Sequence, residues 1–170
     1  LSREVTASTG CDALAQAIEA FWSVNATEES KGYSKEAIRL ALDNLSGAVN
    51  NPNLENRAAM LKSSHLAGKA ISIAKTTAAH SLSYPFTSYH DVPHGHAVML
   101  TLPYFFGINE KISDESIQKK EDFTLEYARK TFDELLRILG VKYGIEAKVK
   151  LVNLIDDVGL ERSLGKLGIN

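Results

Sequence analysis

Four of the chain's five histidines, His80, His90, His94 and His96, fall in the stretch Lys75 to Pro103, KTTAAHSLSYPFTSYHDVPHGHAVMLTLP. Histidine is the commonest side-chain metal ligand and titrates near neutrality, so this clustering points to metal binding or proton transfer. His80 and His94 each border an apolar segment, where a ring nitrogen withdrawn from water needs a partner. His90 lies in Ser88-Tyr89-His90-Asp91, which reads as a polar turn ahead of a proline. His96 reads as an exposed loop histidine, and it and His90 are candidate proton carriers. The fifth, His65, sits in a helical pattern with no second group at metal-ligand spacing and is expected to be a satisfied structural histidine.

The elements that must position these groups follow from apolar periodicity. Leu14, Ala15, Ile18, Phe21 and Trp22 have the spacing of an amphipathic helix, opened by Thr9 and Asp12 as a capping pair. Asp12 and Gln16 are one turn apart and share a face. Asp12 is either that cap alone or a functional carboxylate, whereas Glu19, a further turn on, is expected to be a solvated charge. A second helix fits Lys35 to Val49, ended by Asn50-Asn51-Pro52-Asn53. A third runs from about Leu54 towards Ile73 through Ala58, Leu61, His65, Leu66 and Ala70. Within it, Ala67-Gly68 implies a close helix contact, since glycine costs about 1 kcal/mol there against alanine. Pro93 suits the opening of a helix through Ala97, Val98, Leu100 and Leu102, which puts His94 at its start beside Gly95. A long helix is expected from about Glu115 to Leu139, with Phe123, Leu125 and Phe132 inward and Lys119, Lys120, Arg129 and Lys130 outward. Gly140 stops it, and Ile145 to Val158 reads as one more. No strand alternation, internal repeat or phosphate-binding glycine motif is visible, so the expected class is all-α, a helical bundle.

At 170 residues, 44% of them apolar, the chain is long enough for one well-cored domain. A net charge of −2 and the lack of any Lys/Arg-rich run exclude the usual electrostatics of nucleic-acid binding. No apolar run approaches 18 residues, and the lone Cys11 has no internal partner for a disulfide, so a cytoplasmic protein without a membrane span is expected. The chain starts at Leu1 rather than Met, and nothing before Gly10 reads as the opening of a domain. A fragment is therefore expected. Oligomeric state is left open, a homodimer included.

Several blocks carry a resemblance: Gly10-Cys11-Asp12-Ala13-Leu14 with Ala17-Ile18-Glu19, Glu36-Ala37-Ile38-Arg39-Leu40, Leu66-Ala67-Gly68-Lys69-Ala70, Ala79-His80-Ser81-Leu82-Ser83 and Pro93-His94-Gly95. In order and over nearly the whole chain, they resemble the C-terminal, all-helical metal-binding domain of the group III, iron-containing alcohol dehydrogenases. The resemblance implies that residues 1–170 form that domain, with the N-terminal nucleotide-binding domain and the last C-terminal helices lying outside the sequence. It implies a divalent metal, Fe²⁺ or Zn²⁺, on Asp12, His80 and His94. Gln16 stands where the family has a fourth ligand, a histidine. A neutral amide is a poor ligand beside imidazole, so Gln16 either leaves a three-ligand site or coordinates weakly through its oxygen. Tyr84 also departs, at a position where many members have a histidine near the substrate.

The activity implied is hydride transfer between NAD(P)H, held by the missing domain, and a small aldehyde or its alcohol. The metal polarises the carbonyl, and His80 and His94 are catalytic as its ligands. Ile71 to Thr77 and Ser83 to Tyr89 look like the phosphonate-associated branch, which includes phosphonoacetaldehyde reductases. Lys75, Thr76 and Thr77, close in sequence to His80, would make a reasonable anion grip, with Tyr84 beside the substrate. The competing reading has Lys75 in solvent and the threonines capping the His80 helix. Two other classes stay open: a lyase domain of the dehydroquinate synthase type, and a non-catalytic helical interaction domain.

Overall fold

The structure is a computed structural model that describes residues 1–117 and 123–169, and seven α-helices make up its fold. They are α1 (Arg3–Trp22), α2 (Glu28–Asn50), α3 (Leu54–Ala74), α4 (Ala78–His90), α5 (His94–Asn109), α6 (Leu125–Leu139) and α7 (Gly144–Asp157), followed by a short 3₁₀ turn, Gly165–Leu167. No strand occurs among the described residues, as the all-α reading requires.

Helix α1 is the axis of the bundle, packing against α2, α3, α5 and α6. Leu14, Ile18 and Phe21 on it are fully buried with Ile38 and Leu45 of α2, Met99, Leu102 and Phe106 of α5, Leu135 and Leu139 of α6, and Leu151 and Ile155 of α7. A helix enclosed this completely has little wet face, so its polar residues must be satisfied inside the protein.

Local chemistry shifts several boundaries from those the periodicity suggests. α1 begins at Arg3, with the Ser2 hydroxyl accepting from the Val5 amide at 3.3 Å. The Thr9–Asp12 cap does not form, because Thr9 lies mid-helix and its hydroxyl donates to the Val5 carbonyl at 2.8 Å. α2 starts at Glu28, seven residues before Lys35, because Thr27 and Ser30 cap each other's backbone reciprocally. Its first turns look polar, yet Ser30, Lys31 and Ser34 are buried. The Lys31 ammonium lies 4.3 Å over the Tyr127 ring and donates to the Thr131 hydroxyl at 2.9 Å, tying α2 to α6. Among the described residues the long sixth helix is shorter than expected, starting at Leu125 under a Thr124 cap. Lys119 and Lys120 lie outside the described residues.

In α3, Leu61 is 74% exposed, and Ala58 and His65 are exposed too, so His65 is a surface residue rather than a buried structural histidine. Gly68 makes no close contact: a Cβ there would meet nothing within 4 Å, and the tight packing belongs to fully buried Ala67 alone. His90 is the last residue of α4, not part of a polar turn ahead of Pro93, and Asp91 in the left-handed conformation (φ 53°) ends the helix. Gly140 (φ 71°) ends α6 as expected. No helix is long and apolar enough to cross a membrane among the described residues.

Candidate metal centre

Three helices bring the centre together. Asp12, Gln16 and Glu19 are spaced four and three residues apart and so form one stripe along α1, facing α4 and α5. His80 is in the first turn of α4, and His94 is the first residue of α5. The approach of α5 to α1 depends on Gly95. A Cβ on Gly95 would lie 2.0 Å from the Ser8 carbonyl oxygen and 2.7 Å from the Asp12 Cβ, so only glycine lets the start of α5 rest on α1 at the aspartate.

Potential ligand atoms of Asp12, His80 and His94 all lie within 4.8 Å of one another. Asp12 Oδ1 is 3.4 Å from His80 Nε2 and 3.8 Å from His94 Nε2. Two atoms each about 2.1 Å from a tetrahedral ion stand about 3.4 Å apart, so the Asp12–His80 edge already has the required length. Asp12 Oδ1 and His80 Nε2 are both buried, and neither has a hydrogen-bond partner. Buried polar atoms are nearly always paired, and two that face each other at this distance fit a shared cation. Side-chain exposure rises from 5% at His80 to 24% at Asp12 and 37% at His94, so the cluster opens to solvent on the His94 side.

The remaining atoms of these side chains are held by neighbours. Gln16 Nε2 donates to Asp12 Oδ2 at 2.9 Å, which turns the amide nitrogen, not the oxygen, towards the aspartate and leaves Oδ1 free. The Ser83 hydroxyl donates to the His80 carbonyl at 2.7 Å and lies 3.4 Å from His94 Nδ1, where it can accept from the ring N–H. The Tyr84 ring stacks on His94, with centroids 5.9 Å apart and planes inclined by 14°, and stands half in solvent beside the open edge.

Glu19 corrects the sequence reading: it is fully buried, not solvated. Its Oε1 accepts from the backbone amides of Thr77 at 3.1 Å and Ala79 at 3.0 Å, and from the Thr77 hydroxyl. Its Oε2 contacts His80 Nδ1. The threonines therefore do not cap the His80 helix. Thr77 occupies the N-cap position without a side-chain cap bond, and a carboxylate from α1 does the capping. The signal for Glu19 was present in the sequence, since Asp12, Gln16 and Glu19 share one face.

Electrostatics follow from these contacts. Burial opposes protonation of His80, but the adjoining carboxylates of Asp12, 3.4 Å from Nε2, and Glu19, in contact with Nδ1, outweigh it, so its pKa is pushed up to about 9. Burial, then the Asp12 charge, pushes the Cys11 thiol up to about 12.

Other candidates lie elsewhere. His96 is buried in the first turn of α5, not exposed in a loop, and its Nε2 donates to the Glu161 carbonyl at 2.6 Å. That bond pins the last segment of the chain to the bundle and leaves His96 no free nitrogen pointed at the cluster through Nε2. His90 is exposed. Thr76 and Thr77 line a cavity of about 570 Å³ with Trp22, Phe105, Asn109 and Phe132, which none of Asp12, His80 or His94 lines. Lys75, in the link between α3 and α4, is exposed, and its Nζ lies 3.4 Å from the Ser72 carbonyl.

Residues 6–170 match the sequence family described as "Fe-containing alcohol dehydrogenase family, C-terminal". A long-chain-alcohol dehydrogenase of Geobacillus thermodenitrificans is 32% identical over 174 residues, covering 97% of this chain and 40% of that protein. A phosphonoacetaldehyde reductase of Streptomyces viridochromogenes is 34% identical over 113 residues, 66% of this chain and 29% of that one. The crystal structure of sulfoacetaldehyde reductase from Bifidobacterium kashiwanohense in complex with NAD⁺ superposes with a TM-score of 0.83 at 33% identity, covering all of this chain and 42% of that one. This chain thus spans about two-fifths of the first and third of these proteins and matches less than a third of the second. It belongs to the iron-containing alcohol dehydrogenase family, as the match to that family's C-terminal region over residues 6–170 shows.

Proposed function

We propose that this chain is the metal-binding part of a cytoplasmic, NAD(P)-dependent alcohol dehydrogenase that reduces a small aldehyde, with Asp12, His80 and His94 as the metal ligands. The observation that carries the reading is the pair of buried, unpartnered atoms Asp12 Oδ1 and His80 Nε2, 3.4 Å apart. A divalent ion, Fe²⁺ or Zn²⁺, supplies Lewis-acid polarisation of a carbonyl group when bound there. This chain's residues do the rest. Asp12 brings the negative charge, and Gln16, through its N–H on Oδ2, keeps Oδ1 directed at the histidines. We assign Gln16 this orienting role rather than coordination. His94 and Tyr84 border the open side, where substrate enters and where a nicotinamide carried by another domain meets it.

For the substrate we favour an acetaldehyde that carries an anion. Two relatives are named for such compounds, a phosphonoacetaldehyde reductase and a sulfoacetaldehyde reductase. Lys75 supplies a physical reason. Its φ of 66° and ψ of 167° lie in a region used almost only by glycine, which costs of order 1–3 kcal/mol. A lysine kept at that cost is suited to a task for its ammonium, and gripping an anion is the task proposed. The test of the metal reading is metal content of purified protein. Near-stoichiometric iron or zinc is expected, lost in Asp12→Ala and in His80→Ala; wild-type protein that binds neither metal overturns it.

A further inference from the structure

We infer that Glu19 is a positioning residue for the metal: its carboxylate fixes the His80 ring so that Nε2 faces the ion, and it supplies the second negative charge of the centre. The inference rests on the metal reading above and extends it to a residue that touches no ion.

Glu19 has no exposed surface. A buried carboxylate is costly unless it is both hydrogen-bonded and charge-compensated. Hydrogen bonding is complete, with three donors on Oε1 and the His80 ring on Oε2. Charge compensation runs through the His80 ring alone, as a proton in the metal-free protein and as an ion on Nε2 when one is bound. Among the described residues no lysine or arginine pairs with Glu19, and its ion pair is with His80 alone. An ion on Nε2 of the same ring is the counter-charge this geometry provides. Together, the charges of Asp12 and Glu19 neutralise a divalent cation.

The second part of the argument concerns the tautomer. A neutral imidazole carries one N–H, and the nitrogen that binds metal must be the other one. Because Glu19 Oε2 accepts from Nδ1, the neutral ring keeps its N–H on Nδ1 and presents its lone pair at Nε2, which is the nitrogen 3.4 Å from Asp12. Metal-bound histidines commonly have such a carboxylate behind them, and removing it typically costs 10–100-fold in affinity. An amide cannot replace this carboxylate. In Glu19→Gln, if the oxygen stays on the donors from Thr77 and Ala79, the NH₂ faces His80 Nδ1 and drives the proton to Nε2. If the amide flips, its NH₂ meets those donors instead.

The test is a Co²⁺ titration of the purified protein, followed by the visible absorption of the ion against a competing chelator. Glu19→Gln is expected to bind Co²⁺ 10–100-fold more weakly than wild type while keeping its helix content. Thr77→Val is the structural control. It removes the hydroxyl bonded to Glu19 and to Trp22 Nε1, so it weakens the start of α4, yet it leaves the His80 contact and is expected to hold Co²⁺ within about threefold of wild type. Equal affinity in Glu19→Gln and wild type overturns the inference and leaves the metal reading standing. Equal losses in both variants reduce Glu19 to a helix cap and also overturn it. If wild type fails to bind Co²⁺, both readings fall. Should Glu19→Gln not fold, ¹⁵N-histidine spectra of the Cd²⁺-loaded wild type decide: the inference requires a proton on His80 Nδ1 and cadmium on Nε2, and the reverse assignment refutes it.

Discussion

Gly95→Ala tests whether the contact between α1 and α5 builds the centre. The added methyl would lie 2.0 Å from the Ser8 carbonyl oxygen and 3.0 Å from the Asp12 amide nitrogen, both backbone atoms that cannot rotate away. Restoring ordinary contact, about 3.4 Å, requires the start of α5 to withdraw by about 1.4 Å (3.4 minus 2.0). His94 is the residue next to Gly95 and moves with it. The Asp12 Oδ1 to His94 Nε2 separation would grow from 3.8 Å towards about 5 Å. An ion with bonds of about 2.1 Å can span at most about 4.2 Å between two ligands, so His94 is lost from the set. Overpacking of this kind costs about 1–3 kcal/mol, partly offset by the better helix propensity of alanine. The stability change is therefore expected to be modest, while metal affinity falls at least 100-fold, more than the loss of an outer partner. Isothermal titration with Zn²⁺ and urea unfolding of the same sample separate the two effects. Wild-type affinity in a folded Gly95→Ala protein would refute the geometric argument.

Four further outcomes are expected. In metal-free protein the raised pKa of His80 contributes stability that is fully present below its ordinary value of 6.5 and is lost as pH rises through about 9, on the order of 3 kcal/mol; urea midpoints compared with His80→Gln across that window should converge at high pH, and parallel curves would argue against it. Metal binding has the opposite sign, tightening as pH rises, because the ion must displace that proton. Gly68→Ala should stabilise the fold by about 0.5–1 kcal/mol by thermal unfolding, since the site is helical and open; a loss would reveal a contact on that face. In the enzyme that carries this chain, Lys75→Ala should raise KM for a phosphonate-bearing aldehyde by about one to two orders of magnitude, the equivalent of a charge-assisted contact of roughly 1.5–3 kcal/mol, and leave a neutral aldehyde unaffected; equal effects on both remove the anion role.

What could be read in advance follows from how each residue is satisfied. His80 and His94 stood out because imidazole at the edge of apolar sequence is unusual whatever the fold. Six of the seven helices were legible because Asn50 to Asn53, Pro93 and Gly140 interrupt periodic segments, and turn chemistry is local; α4 was not set out, since the stretch around His80 shows no such apolar period. The beginning of α2 was not legible, because Thr27 pairs with Ser30 rather than with the Glu or Gln of the usual capping pair, and because Ser30, Lys31 and Ser34 are buried, Lys31 on Tyr127 and Thr131 of α6, which is a tertiary fact. His96 was misjudged for a related reason. Reading it as a loop residue ignored that a helix opening at Pro93 already includes it in the first turn, where it reaches the Glu161 carbonyl sixty-five residues away.

Glu19 and Gln16 show where reading by side-chain type stops. An acidic residue on an amphipathic helix is normally wet, and that expectation fails only because α1 is enclosed by α2, α3, α5 and α6. Once enclosure is known, the stripe Asp12, Gln16, Glu19 can no longer be one ligand with two bystanders. The structure pairs Oδ2 of Asp12 with the Gln16 amide and both oxygens of Glu19 with the start of α4, while Oδ1 of Asp12 has no hydrogen bond. That oxygen lies 3.4 and 3.8 Å from Nε2 of the two histidines. The Gln16 N–H occupies the second oxygen of Asp12 and leaves the first facing the histidines, and on the metal reading proposed above this makes Gln16 an orienting residue rather than a missing ligand.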